Sequence, residues 1–181
     1  MNINMTILKV RRLLEIPFLY KNWIPILLNR FNLKSIEKVR LRNGLIFYLG
    51  NIPSARAILS HTFNKNEGYD IFQNIKKGDI VIDIGAFIGD FSIKAANKGA
   101  KVYSYEPCKK TFEIFEKNIK LNNFEDKISF FNKGIYKKSG QKDLILREDH
   151  GVNSMLGGNI LDHRSKTIGT EKIKLITSRQ L

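Results

Sequence analysis

The hydrophobic positions change their spacing several times along the chain, and each change marks an element. Over residues 6–31, Ile7, Leu8, Val10, Leu13, Leu14, Phe18 and Leu19 recur with the period of a helix face. Pro17 and Pro25 break or kink that run, so it reads as two helical pieces, with Arg11, Arg12, Lys21 and Arg30 on the other side. An ordinary lead-in helix packed on the domain has this pattern. So does a basic amphipathic helix lying on a membrane or a partner. From Ile36 to Leu49 the pattern becomes a β-hairpin. Val39 and Leu41 alternate with charges, Asn43-Gly44 is a two-residue turn signal, and Leu45 to Leu49 returns. Residues 54–77 look mainly helical, with a break at Glu67-Gly68.

Asp79 to Ile84 is then a compact apolar run, as expected for the buried centre of a parallel sheet. Residues 90–98 read as helix and Lys101 to Tyr105 as strand. Lys109 to Leu121 is a helix with Phe112, Ile114, Phe115 and Ile119 inward, and Lys127 to Phe131 is a third strand. This order predicts an α/β fold with a doubly wound, mostly parallel sheet. Beyond residue 133, Ser139-Gly140 marks a turn. Asp143 to Arg147 and Lys172 to Ile176 suggest an antiparallel excursion, and Gly151 to Gly169 reads as a loop. The expected division is residues 1–53, a basic helical lead-in and hairpin, and residues 54–181, the α/β part. Asp79 to Leu181 is 103 residues, whereas one βαβ unit takes ~30 or more. Three core strands are visible, so the sheet is expected to be incomplete, with an apolar edge exposed.

Composition changes this picture in two respects. The net charge is +14, and residues 1–42 hold nine Lys or Arg against two acids. Such a field attracts phosphates, nucleic acid or anionic lipid. The plainer reading is a solvated Lys-rich surface. A single cysteine, Cys108, excludes an intrachain disulfide and fits a reducing cytoplasm. With no leader or membrane span legible, a cytoplasmic protein is expected. His61, His150 and His163 lack Cys partners at zinc spacing, so no metal site is expected.

The chemistry lies in Val81 to Ile93. The run Asp83-Ile84-Gly85-Ala86-Phe87-Ile88-Gly89-Asp90-Phe91-Ser92 follows a strand and opens a helix. Gly85 permits a sharp turn, and Gly85 and Gly89 let backbone approach a ligand. Asp83 can orient the loop or bind an ammonium, and Asp90 or Ser92 can cap the helix. Glu106 ends the second strand, 23 residues after Asp83, where a carboxylate can accept hydrogen bonds from a ribose diol; Pro107 stops the strand. Together these features predict a nucleoside cofactor. Phe87 stands where a dinucleotide fingerprint needs its second glycine, and Asp83 would repel a pyrophosphate. No Gly-Lys-Ser/Thr makes a P-loop. S-adenosylmethionine suits Asp83 better.

The run from Asp83 to Ser92, then Tyr103-x-x-Glu106-Pro107, then Asn118-x-x-x-Asn122, resembles the FkbM-type methyltransferases. Asn22-Trp23, Leu41-Arg42-Asn43-Gly44 and the stretch from Asn132 to Gly140 are similar too. The resemblance covers about residues 20–181 and implies a Rossmann-like class I methyltransferase fold. It implies S-adenosylmethionine-dependent O-methylation of a sugar or small-molecule hydroxyl. Asp83, Gly85, Ala86, Phe87, Gly89, Glu106 and Pro107 would contact the cofactor, and Asn132 would lie near the adenine. Phe87 departs from the Asn usual there. The family's Lys-x-Asp-x-Glu-Gly strand does not follow Ile176 to Leu181. No catalytic base is legible; His150, Asp149 and Asp162 are polar candidates that read equally as surface. Two alternatives stand beside this reading. One is a truncated, non-catalytic cofactor-binding remnant. The other is an RNA methyltransferase, which the basic charge motivates and which predicts salt-dependent RNA binding through residues 9–42.

Overall fold

The break between the first two helices falls between the two prolines rather than at either. In the computed structural model, which describes residues 13–31, 33, 35–52, 54–63, 71–148 and 166–181, residues 13–19 are helical (α1) and include Pro17. Tyr20 leaves the helix to bridge Leu41, and α2 then runs Trp23–Arg30. Pro25 sits in the first turn of α2, where no intrahelical N–H bond is lost. The described residues fall into two compact units, one up to Asn51 and one from Ile52.

In the first unit, β1 (Lys38–Arg40) and β2 (Ile46–Tyr48) pair antiparallel, Val39 opposite Phe47. The hairpin is as expected, but its loop is longer than the expected two residues. Leu41 N–H donates to Leu45 O, which leaves Arg42, Asn43 and Gly44 in the loop. Asn43 Oδ1 accepts the Leu45 N–H and Gly44 takes φ +97°, the left-handed residue a three-residue hairpin needs. Tyr20, Ile26, Val39, Leu41 and Phe47 fill this unit's core.

The second unit carries the α/β fold. Helices α3 (Ala55–Phe63) and α4 (Ile71–Asn74) lead into β3 (Ile80–Ile84). The expected break at Glu67-Gly68 lies outside the described residues. Helix α5 (Asp90–Asn97) joins β3 to β4 (Lys101–Tyr105), and α6 (Lys109–Leu121) joins β4 to β5 (Ile128–Phe131). All three strands are parallel in the order β3-β4-β5, with Asp83 opposite Ser104 and Tyr105 opposite Phe131. This is the expected Rossmann-like arrangement.

A second sheet has the order β6-β8-β7, from β6 (Gly134–Ile135), β7 (Gly140–Arg147) and β8 (Thr167–Ile176). The antiparallel β7–β8 pair was expected, but it begins earlier in each strand than the apolar residues alone suggest, because polar residues continue the ladder. β6, too short to leave a periodic signal, runs parallel to β8. Cys108, Leu144, Ile173 and Leu175 form the core under this sheet.

β3 departs from its expected burial. It is an edge strand, and among the described residues nothing pairs with its other side. Ile80, Ile82 and Ile84 share one face and are 70%, 50% and 58% exposed. An uninterrupted apolar run marks a strand built for cover on both faces. Among the described residues, the face carrying Ile80, Ile82 and Ile84 is left largely uncovered.

Candidate cofactor site

The parallel sheet delivers two acids to one end. Asp83 is the penultimate residue of β3, and Glu106 is the first residue after β4. Between β3 and α5 the chain must reverse within five residues, and both glycines there take the left-handed conformation, Gly85 at φ +84° and Gly89 at φ +85°. Gly85 N–H and Ala86 N–H both donate to Tyr105 O, at 2.8 and 3.1 Å, which fixes the loop on the end of β4. Phe87 is also left-handed, at φ +53°, which costs a non-glycine residue about 1–2 kcal/mol.

Glu106 holds that strained residue. Its Oε2 accepts the Phe87 N–H at 2.8 Å. Its Oε1 accepts the Cys108 N–H at 2.9 Å and the Thr111 hydroxyl at 2.9 Å. Burial pushes the Glu106 carboxyl above the usual carboxylate range, and these three bonds pull it back. A carboxylate has about four acceptor positions, so one remains, on Oε2.

Asp83 is fixed from α5. Ser92 Oγ donates to Asp83 Oδ2 at 2.5 Å and lies 2.7 Å from Ser104 Oγ. A hydroxyl has one proton, so Ser104 donates to Ser92. Desolvation raises the Asp83 carboxyl, and the Ser92 bonds oppose it. The cap residue of α5 is Gly89, so neither Asp90 nor Ser92 takes the capping position expected of it. Asp90 instead accepts the hydroxyl of Thr62, from α3. Asp90 is buried and its carboxyl is raised to about 6, chiefly by desolvation. Lys94, one turn on, donates to Thr62 O, and its ammonium lies 4.0 Å from the Phe72 ring centre.

A cavity of about 320 Å³ opens on this loop, lined by Ile58, Asp83, Ile84, Gly85, Ala86, Phe87, Asp90 and Phe91. It holds two carboxylates and no cationic side chain, so it suits a ligand with a positive charge and repels a phosphate. The chemistry of this lining fits the ammonium and sulfonium of S-adenosylmethionine. The structure thus brings Asp83, Gly85, Ala86 and Phe87 together in the cavity wall. Gly89 is buried against the Phe115 ring instead. Asn132 donates from Nδ2 to Glu106 O at 2.9 Å and to Pro107 O at 3.0 Å, so it binds the end of β4 together. His150, Asp149 and Asp162 lie outside the described residues.

Two residues of this framework, Thr62 and Thr111, escaped sequence reasoning, and a third, Asn118, entered it only as part of a motif without a role. Thr62 lies in an element with no motif. Thr111 and Asn118 sit on the inward face of α6 among Ile114, Phe115 and Ile119, where an apolar reading passes over them. Asn118 is fully buried and donates to Ile88 O at 2.9 Å, and Asn122 donates to Asn118 O at 2.7 Å. The Asn118-x-x-x-Asn122 spacing was the available signal, one helical turn apart.

The model of the TRM5/TYW2 methyltransferase domain matches residues 42–147, more than half of the chain. The chain belongs to the TRM5/TYW2 methyltransferase domain family. A Methanocaldococcus jannaschii protein named as a ribosomal RNA large subunit methyltransferase is 39% identical over 64 residues, 35% of this chain and 17% of that protein. The tRNA (guanine(37)-N(1))-methyltransferase Trm5b of the same organism is 38% identical over 58 residues, 32% of this chain and 17% of that protein. The chain thus spans under a fifth of the length of these relatives. The crystal structure of P. horikoshii TYW2 in complex with MeSAdo is 25% identical, covering 56% of this chain and 38% of that one at a TM-score of 0.41.

This family is one of S-adenosylmethionine-dependent methyltransferases, so the expected class and cofactor are those of the family to which the chain belongs. The FkbM resemblance does not. The residues that carried it, Asp83 to Ser92 and Glu106-Pro107, form the loop and strand end around the candidate cavity, and a framework of that kind does not identify the methyl acceptor. The expected O-methylation of a sugar or small-molecule hydroxyl, with a glycan partner, falls with it, since the relatives named above are tRNA and rRNA methyltransferases. Among the described residues no helix is long and apolar enough to cross a membrane.

Proposed function

We propose that this chain is the cofactor-binding part of an S-adenosylmethionine-dependent RNA methyltransferase acting in the cytoplasm. The observation that carries the reading is the Glu106–Phe87 hydrogen bond, which fixes a Gly85–Gly89 loop over an acid-lined cavity in a chain of this family. The RNA relatives and the basic charge of the chain support the acceptor class. Asp83, Gly85, Ala86 and Phe87 are assigned to the cofactor from the cavity wall. Glu106 offers its remaining Oε2 position to one ribose hydroxyl. Gly89, Pro107 and Asn132 keep the loop and the end of β4 in place for it.

When bound, S-adenosylmethionine supplies a methyl group on a sulfonium sulfur. What this chain adds is placement. Asp83 and Asp90 favour a cationic ligand, Gly85 admits backbone close to it, and the Tyr105 carbonyl and Glu106 hold the loop still. Such fixed positioning is a large part of what a transfer of this kind requires.

The test is a calorimetric titration of the whole chain with S-adenosylhomocysteine, followed by incubation with methyl-labelled S-adenosylmethionine and bulk tRNA or rRNA. Saturable binding and label in RNA support the reading. A folded chain that binds no S-adenosylhomocysteine overturns the cofactor assignment. Binding without any transfer to RNA overturns the activity of this chain and leaves a cofactor-binding module.

A further inference from the structure

The first unit carries a basic groove separate from the cofactor cavity. It has a volume of about 440 Å³ and is lined by Lys21, Asn22, Lys38, Val39, Arg40 and Ile46. We propose that this groove binds the phosphodiester backbone of the RNA substrate; the proposal rests on the RNA reading above.

The groove is built by the backbone. Lys38 and Arg40 are alternate residues of β1, so they project from one face about 6.6 Å apart, while Val39 between them is fully buried. Lys21 comes from the turn before α2 and is fastened alongside: its N–H donates to Arg40 O at 2.7 Å. Asn22 closes the arrangement from both ends of its amide. Its Oδ1 accepts the Arg40 N–H at 2.8 Å, and its Nδ2 donates to Lys38 O at 3.2 Å. Asn22 spends its side chain on β1 and makes no capping bond to α2. Arg42 Nε in turn donates to Pro17 O at 2.6 Å and ties the end of the hairpin to α1.

Three cations from two segments thus face one concavity, on a frame of main-chain bonds. No acid lines it, and Glu37, just before β1, is outside the lining. The side chains of Lys21, Lys38 and Arg40 are exposed and carry no ion pair among the described residues. A repeating polyanion fits such a site, because each cation can neutralise one phosphate and release counterions. An anionic bilayer fits it less well. Among the described residues, the exposed apolar residues of α1 and α2, Leu14, Phe18, Ile24 and Leu28, do not line the groove, whose apolar lining is the buried Val39 and the half-buried Ile46.

The test compares the whole chain with the triple variant Lys21→Gln, Lys38→Gln, Arg40→Gln. Fluorescence anisotropy with a labelled RNA hairpin transcript is measured from low to high salt, and S-adenosylhomocysteine is titrated into both proteins. The expected result is a loss of RNA affinity of at least tenfold. The slope of log affinity against log salt should fall by about 2–3, with S-adenosylhomocysteine binding unchanged. A variant that keeps the affinity and the slope overturns the groove while leaving the RNA reading in place. A wild-type chain that binds S-adenosylhomocysteine but no RNA overturns both. Binding to phosphatidylserine vesicles without RNA binding, lost in the variant, assigns the groove to a membrane and also overturns the proposal.

Discussion

The carboxylate of Glu106 accepts the backbone N–H of Phe87 at 2.8 Å across 19 residues of sequence. That bond helps a bulky residue remain left-handed in the loop between β3 and α5. Its other oxygen takes two donors, from Cys108 and Thr111. Glu106→Gln turns one acceptor oxygen into a donor, and whichever way the amide faces it meets an N–H or O–H. We expect a loss of about 1–3 kcal/mol at pH 8, measured by urea denaturation, and loss of S-adenosylhomocysteine binding. Burial raises the Glu106 carboxyl, so acidification protonates it in the fold first. The stability gap between wild type and variant should therefore widen as the pH falls through the carboxylate range, because the folded chain takes up that proton before the unfolded chain does.

The two glycines of the loop should respond differently to the same change. A Cβ on Gly89 would lie 2.0 Å from Phe115 Cδ2, in a core with no room, at a φ that alanine resists. Gly89→Ala should cost about 3 kcal/mol or more, seen as a lower denaturation midpoint with an unchanged m-value. A Cβ on Gly85 meets nothing within 4 Å. Gly85→Ala should cost only the backbone term, about 1–2 kcal/mol. Because Gly85 lines the cavity, its larger effect should be on S-adenosylhomocysteine affinity. Equal stability losses at the two positions would contradict this geometry.

The same residues show how far the sequence could be read. Asp83, Gly85, Gly89 and Glu106 were legible because a βα turn and a strand end leave local signatures, and the parallel β3-β4-β5 order followed from the alternation of patterns. The side-chain contacts that tie this loop and α5 to the neighbouring helices were not. Thr62 reaches Asp90 across 28 residues, and Asn118 reaches Ile88 across 30. Such contacts exist only once the helices have packed. The acceptor was misread for a related reason: the residues proposed to hold a cofactor carry no information about the methyl acceptor. The exposure of Ile80, Ile82 and Ile84 was half legible, as an apolar edge at the limit of the visible sheet.

That exposed face yields a prediction of its own. Ile82 is 50% exposed on an edge strand whose outer side has no partner among the described residues, a combination that favours association between chains. Ile82→Lys should change unfolding free energy by no more than about 0.5 kcal/mol while reducing self-association in sedimentation velocity at high concentration. A large loss of stability would mean that this face is packed in the folded chain.

Asp90 should give the proposed cofactor site a pH dependence near neutrality. Its carboxyl is raised from an ordinary 3.8 to about 6, mainly by burial and partly by Asp83. The fold therefore holds a proton that the unfolded chain releases. This favours folding fully below about pH 3.8, and the benefit is lost as the pH rises through about 6, with an upper size of ~3 kcal/mol. Asp90→Asn should remove that step from a plot of stability against pH, because the amide stays neutral throughout. Ligand binding should run the other way. The ammonium of S-adenosylhomocysteine prefers the ionised carboxylate, so affinity should rise several-fold between pH 5 and pH 7, and the Asn variant should lack most of that rise. Asp83 is raised as well, so a small residual dependence should persist. If the variant keeps the full wild-type profile in both measurements, the titrating group is elsewhere, and the Thr62–Asp90 contact serves only to join α3 to α5.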